Sequence, residues 1–143
     1  MSQDNIPERF RKRIEEAKEQ RLKELDLSYE YGVGNGKQLT CIPGIIFELP
    51  HLKKLDLSGN RLSGVSESIS QLTNLTELDL SNNQLVTLPN SIAQLANLTE
   101  LVLSNNQLSS LSKSFSELIN LTGLDLSSNK LVTLQSLSLN LLI

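Results

Sequence analysis

A phrase of eleven residues occurs four times in this chain at a constant interval of twenty-three positions. A second half follows the phrase, most clearly VTLPNSIAQLAN at residues 86–97. A fixed period of this length predicts a solenoid, because one coil cannot bury its own apolar face and must stack on its neighbours. The phrases read LKKLDLSGNRL, LTELDLSNNQL, LTELVLSNNQL and LTGLDLSSNKL, and they begin at Leu52, Leu75, Leu98 and Leu121.

The first coil is longer than the others. Its phrase, LKELDLS, begins at Leu22, and the distance from there to the next start at Leu52 exceeds the regular interval by seven residues. The register recovers at Leu39, which places the insertion within residues 29–36. The only two tyrosines, Tyr29 and Tyr31, lie there beside a glycine-rich run, a mixture typical of binding loops. We predict a contact loop at one rim of the sheet, and a surface insertion without a role is the alternative.

Apolar and polar residues alternate within each phrase, as they do in a short strand with one buried face. In LTELDLSNNQL, for example, Leu78 and Leu80 are flanked by polar residues. Stacked coils would make these strands parallel and about 4.8 Å apart. An asparagine lies where the chain turns inward, and its amide can satisfy backbone groups that the turn buries. We therefore predict a structural asparagine ladder, absent from the first coil, where Lys37 stands, and formed by Asn60, Asn83, Asn106 and Asn129.

The full pattern, LxxLxLxxNxLxxLPxxIxxLxxL, resembles the leucine-rich repeat family from Leu22 to about residue 134. Its period is similar to that of the intracellular class, found in bacterial repeat proteins and in the recognition domains of Roco-type GTPases. The resemblance implies an α/β fold, a curved right-handed solenoid with a parallel sheet on its concave face, and a role in binding proteins. Two coils depart from the pattern, because Ser66 and Ser112 stand where it has proline.

The two ends of the chain lead to separate predictions. Residues 5–20 are predicted to form a helix, so that residues 1–21 cap a solenoid of about five repeats over residues 22–143. At the carboxyl end, apolar and polar residues alternate as in an uncovered edge strand. Such an edge invites pairing with a second copy, and coverage within one chain is the alternative. The residues predicted to self-associate are Leu137, Leu139, Leu141 and Ile143.

Composition and charge exclude several classes of function. The net charge of −3, with acidic and basic residues mixed, offers no basic surface to nucleic acid or to a membrane. The charged amino terminus differs from a secretory signal, and the single Cys41 agrees with a reducing compartment, so we predict a cytoplasmic protein. The lone His51 and the poor match of the glycine-rich run to a phosphate-binding loop predict no catalytic site, no metal and no cofactor.

The concave face is the second candidate surface, after the insertion loop. Its polar positions are mostly acidic, which as a functional surface would suit a basic protein partner, but the repeat itself favours the interpretation that they are ordinary solvated residues. We predict a non-catalytic protein-interaction module. The recognition segment of a larger Roco-like signalling enzyme and a self-associating structural protein are the alternatives. Together with Tyr29 and Tyr31, the predicted contact residues are Glu24, Asp26, Lys54, Asp56, Glu77, Asp79, Glu100, Val102 and Asp125.

Overall fold

The computed structural model of the chain describes residues 6–32 and 37–132. Within these ranges, short strands form one parallel sheet and follow one another in chain order, as the repeat predicts. They are β1 (Glu24–Asp26), β2 (Lys54–Asp56), β3 (Glu77–Asp79), β4 (Glu100–Val102) and β5 (Gly123–Asp125). A helix, α1 (Glu8–Glu19), precedes β1. The segments between consecutive strands contain 3-10 helices at Gly44–Glu48, Glu67–Gln71, Asn90–Gln94 and Lys113–Glu117.

The register of the sheet follows the repeat. Leu55 pairs with Leu78, one regular interval further along the chain, whereas Leu25 pairs with Leu55 across the longer first coil. After the insertion the regular interval holds again, because the backbone N–H groups of Leu39 and Leu62 make equivalent hydrogen bonds. The seven extra residues of the first coil therefore lie between β1 and Leu39.

Leucine fills the core. The central residues of β1 to β4, such as Leu55 and Leu78, are buried, and so are the leucines two positions later. Burying one such side chain stabilises the fold by about 1.5–3 kcal/mol. The outer residues of each strand face the opposite way and are not needed in the core, so they are available for contacts outside the chain.

Helix α1 lies against the first coil and buries Phe10, Ile14 and Ala17. It begins at Glu8 directly after Pro7, within the range that the sequence predicts. The helix ends in a Schellman motif: the N–H of Leu22 donates to the carbonyl of Ala17, and Arg21 adopts a left-handed φ of 50°. This turn directs the chain straight into β1.

Serine replaces proline before two of the 3-10 helices without changing the backbone. Pro89 and Ser66 precede their helices with similar angles, φ −70° and ψ 149° against φ −66° and ψ 146°. The Ser66 hydroxyl also accepts a hydrogen bond from the N–H of Ser68, and Ser112 caps its helix in the same way. The two departures from the repeat pattern are therefore alternative helix starts.

Candidate partner-binding surface

The asparagines of the repeat join neighbouring coils. The Asn60 side chain accepts a hydrogen bond from the N–H of Leu39 at 2.9 Å and donates to the carbonyls of Leu27 at 2.9 Å and Leu57 at 3.0 Å. Asn83, Asn106 and Asn129 repeat this geometry in the following coils. In the first coil, Lys37 at the matching position is exposed.

A second ladder, which sequence reasoning missed, lies at the opposite end of the strands. The exposed side chain of Asn74 donates to the carbonyl of Pro50 in the preceding coil at 2.8 Å, and Asn97 and Asn120 make the equivalent bonds. His51 occupies the same position at the end of the first coil, with Nε2 3.2 Å from the carbonyl oxygen of Ala17. The signal in the sequence is the recurring NLT, which resembles a glycosylation site and a simple by-product of the repeat.

The open face of the sheet holds a groove of about 360 Å³. Nearly all the predicted concave residues line it, which gives six carboxylates against one ammonium group. Asp125 lies in register with Val102 on β5 and is exposed, but it does not line the groove. The lining side chains from the predicted set are Glu24, Asp26, Lys54, Asp56, Glu77, Asp79, Glu100 and Val102.

The carboxylates form two columns with different roles. In the aspartate column, Oδ1 of each aspartate accepts a hydrogen bond from the backbone N–H two residues later, as Asp56 does from Ser58 at 2.8 Å. Asp26, Asp79 and Asp125 make the same bond. The other column consists of Glu24, Lys54, Glu77 and Glu100, which pair across neighbouring strands. The carboxylate of Glu100 makes no hydrogen bond or ion pair with the residues that the structure describes. The aspartates therefore serve the turn as well as the surface.

Lys54 is the one cationic side chain among the described residues that line the groove, and Arg13 of α1 reaches Oδ2 of Asp26 from outside the lining, at 3.4 Å. Its Nζ lies 2.9 Å from a Glu77 oxygen and 3.9 Å from a Glu24 oxygen. The hydrogen bond to Glu77 and the charge of that carboxylate raise the pKa of Lys54 above its ordinary value of 10.5. At the edge of the sheet, hydrogen bonds from Ser127 lower the pKa of Asp125. Both groups are therefore charged at neutral pH.

The two tyrosines lie outside the groove, at the rim beyond the carboxyl end of β1. Their rings meet edge to face with centroids 5.4 Å apart, and Tyr31 is 80% exposed. The guanidinium of Arg9 in α1 lies over the Tyr29 ring at 4.7 Å, which ties the start of the insertion to the helix. Tyr29 also lines a separate recess with Lys37, Gln38, Thr40 and Arg61.

Three further questions concern metal sites, membrane-spanning helices and the carboxyl-terminal edge. In the described ranges no cluster of His, Cys, Asp and Glu has the arrangement of a metal site. No helix among these residues is long and apolar enough to cross a membrane. The predicted self-association edge, Leu137, Leu139, Leu141 and Ile143, lies outside the described residues, so it stays a prediction.

Comparison with known proteins identifies the repeat. The profile of the family described as "Leucine rich repeat" matches residues 20–85, 50–108 and 73–131. A solved structure of a repeat protein from Leptospira interrogans is 34% identical, with a TM-score of 0.69 over 78% of this chain. An internalin from Listeria monocytogenes, 24% identical, shares the fold with a TM-score of 0.64 over 77% of this chain.

The chain spans only 33% of the Leptospira protein and 29% of the internalin. No curated protein matches the chain. Both structural relatives are bacterial, as predicted, whereas neither is described as a Roco-type protein, so that similarity stays a prediction. The predicted fold class, an α/β solenoid with a parallel sheet and an amino-terminal capping helix, is confirmed. The chain belongs to the leucine-rich repeat family.

Proposed function

We propose that this chain is a non-catalytic module that binds a protein partner through the concave face of its sheet. Leucine-rich repeat proteins are generally protein-interaction modules. The observation that carries the proposal is the groove, where one face of the stacked strands β1 to β4 presents side chains that the core does not use. Such a surface is broad and regular, which suits a protein better than a small molecule.

The charge of the groove supports a partner segment with a positive charge. Six carboxylates and one lysine line it, and the aspartates can be explained in part by the turns that they stabilise. That explanation does not extend to the glutamates: Glu24 and Glu77 pair with Lys54, and Glu100 makes no such pair within the described part of the chain. Complementary charge speeds association and selects partners.

The tyrosine loop supplies a second contact at the rim. Tyr31 exposes 80% of its surface at the end of the sheet where β1 leaves the groove. An exposed aromatic ring on a loop held by Arg9 and Tyr29 offers contact area at low entropic cost. We further propose that the module acts in the cytoplasm and without a cofactor. The larger Roco-like enzyme and the self-associating structural protein remain predictions.

The proposal is tested by photo-crosslinking in the cells that make the chain. Benzoylphenylalanine is placed at Glu77 or Glu100 on the sheet, and at Gln94 or Ser116 as exposed controls on the 3-10 helix side. We expect a discrete adduct with another protein from the sheet positions only. Adducts of equal yield from both faces, or no adduct from the sheet, would contradict the proposal. Replacing Tyr31 with alanine should lower the adduct yield, and an unchanged yield removes the loop from the site.

A further inference from the structure

One residue breaks the aspartate column of the concave face. Across the parallel strands, Asp56 pairs with Asp79, Asp79 with Val102, and Val102 with Asp125. Neighbouring strands lie about 4.8 Å apart, so Val102 stands between two carboxylates at nearly equal distances. Its side chain is half-buried and lines the groove. The column is thus an acidic row with a single apolar position.

The substitution removes a hydrogen bond that the other coils make. In those coils an aspartate oxygen accepts the N–H of a serine two residues later, at 2.8 Å in the Asp79 and Ser81 pair. Ser104 is the matching serine after Val102, and its N–H has no acceptor in the part of the chain that the structure describes. Ser104 is a buried residue, 8% exposed as a whole. Leaving a buried donor without a partner destabilises the folded chain.

Val102 departs from the repeat pattern and thereby destabilises the turn. Natural sequences depart from such local patterns mainly at functional positions, so this valine indicates a contact with a partner. Resting on the proposed function, we propose that Val102 is the anchor point for a partner segment in which one apolar side chain is flanked on both sides by lysine or arginine. The apolar side chain packs on Val102, and the basic side chains pair with Asp79 and Asp125. A carbonyl oxygen of the segment accepts the hydrogen bond from the Ser104 N–H.

The chemistry of the surroundings favours this occupant over others. A purely basic segment would gain more from an aspartate at position 102, and a purely apolar segment would bury Asp79 and Asp125 without partners. Nucleic acid and anionic lipid would be repelled by the carboxylates that surround Val102. An apolar centre with basic flanks is the arrangement that uses all three positions.

The test begins with a phage-displayed library of random twelve-residue peptides selected on the purified chain. The peptides recovered are then synthesised, and their dissociation constants are measured on four proteins: the unaltered chain, Val102→Asp, Val102→Ala and Val86→Asp. Val86 is a matched control because it is a half-exposed valine that does not line the groove. Amide resonances of the labelled chain show where each peptide binds.

We expect peptides with an apolar residue between basic ones, which shift the Ser104 amide on binding. Val102→Asp should weaken binding by about tenfold or more, as at a central contact, although it makes the groove more acidic. Val102→Ala should weaken binding several-fold, while Val86→Asp leaves the dissociation constant unchanged. General attraction between opposite charges predicts the reverse, namely tighter binding to Val102→Asp.

The outcomes separate the two proposals. Peptides that bind the sheet but bind Val102→Asp as well as the unaltered chain overturn the anchor and leave the proposed function standing. Peptides that bind only the 3-10 helix side, or a selection that recovers none, count against both. Because the new aspartate can accept the Ser104 N–H, Val102→Asp should fold, and Val102→Ala decides the question if it does not.

Discussion

The carbonyl oxygen of Tyr29 occupies the space into which a Cβ atom on Gly59 would project. Gly59 has a φ of 72°, and the matching residues of the later coils, Asn82, Asn105 and Ser128, hold the same turn with φ 54°. Those coils therefore accept a side chain at this point, and the second coil does not. Among the described residues, Gly59 of the second coil packs against Tyr29 at the start of the insertion, so the glycine and this part of the insertion are structurally matched.

Replacing Gly59 with asparagine should displace the start of the insertion and keep the solenoid. We expect a loss of about 1–3 kcal/mol in unfolding free energy, which is typical of overpacking. Both tyrosines lie within the insertion and the chain has no tryptophan, so tyrosine fluorescence reports on this region alone. It should change in the folded variant. Asn82→Gly is the control, and equal fluorescence changes in both variants would contradict the match.

Removing a buried ladder asparagine should destabilise the chain far more than removing its exposed neighbour. Asn83 accepts from the Leu62 N–H and donates to carbonyls of both coils, whereas Gln84 is exposed. Asn83→Ala leaves these buried groups unpaired, so we expect a loss of about 2–4 kcal/mol, against less than about 1 kcal/mol for Gln84→Ala. Urea denaturation measures both, and similar losses would remove the ladder as a stabilising feature.

His51 should be replaceable by asparagine but not by alanine. Its Nε2 lies 3.2 Å from the Ala17 carbonyl oxygen at the end of α1, and Asn74 makes the equivalent bond in the next coil. His51→Ala should lower the unfolding free energy by about 1 kcal/mol, and His51→Asn by roughly half of that or less. Thermal unfolding of the two variants distinguishes them. If both substitutions lower the unfolding free energy equally, the hydrogen bond to α1 contributes nothing to stability.

The titration of Lys54 should depend on Glu77. Because the folded chain holds the pKa of Lys54 above 10.5, its stabilising contribution is complete below that pH and is lost as the pH rises through the folded-state pKa. Titration followed by nuclear magnetic resonance at the Lys54 side chain measures the pKa directly. Glu77→Gln should lower it towards the ordinary value, while Glu117→Gln, far along the surface, should not. An unchanged midpoint in Glu77→Gln would assign the shift to another cause.

The parts of the fold that repeat could be read from the sequence, and the parts that join unlike segments could not. The strands and the inward asparagines recur at one interval, so assigning them correctly in one repeat predicts them in the others. The second ladder was missed because Asn74 is exposed, and its partner, Pro50, lies in another coil. The contact of Tyr29 with Gly59 joins two coils through an insertion that has no counterpart elsewhere in the sequence. Such contacts depend on three-dimensional placement rather than on local pattern.

The two ladders have a consequence for recognition. Amide side chains fasten each coil to its neighbour both before and after a strand of three residues, as Asn74 and Asn83 do on either side of β3. Sliding one strand against the next would break bonds at both ends at once. The columns of charge on the open face are therefore preorganised, and a partner meets a fixed template that loses little conformational entropy on binding. Selectivity is then set by the spacing of the partner's own side chains.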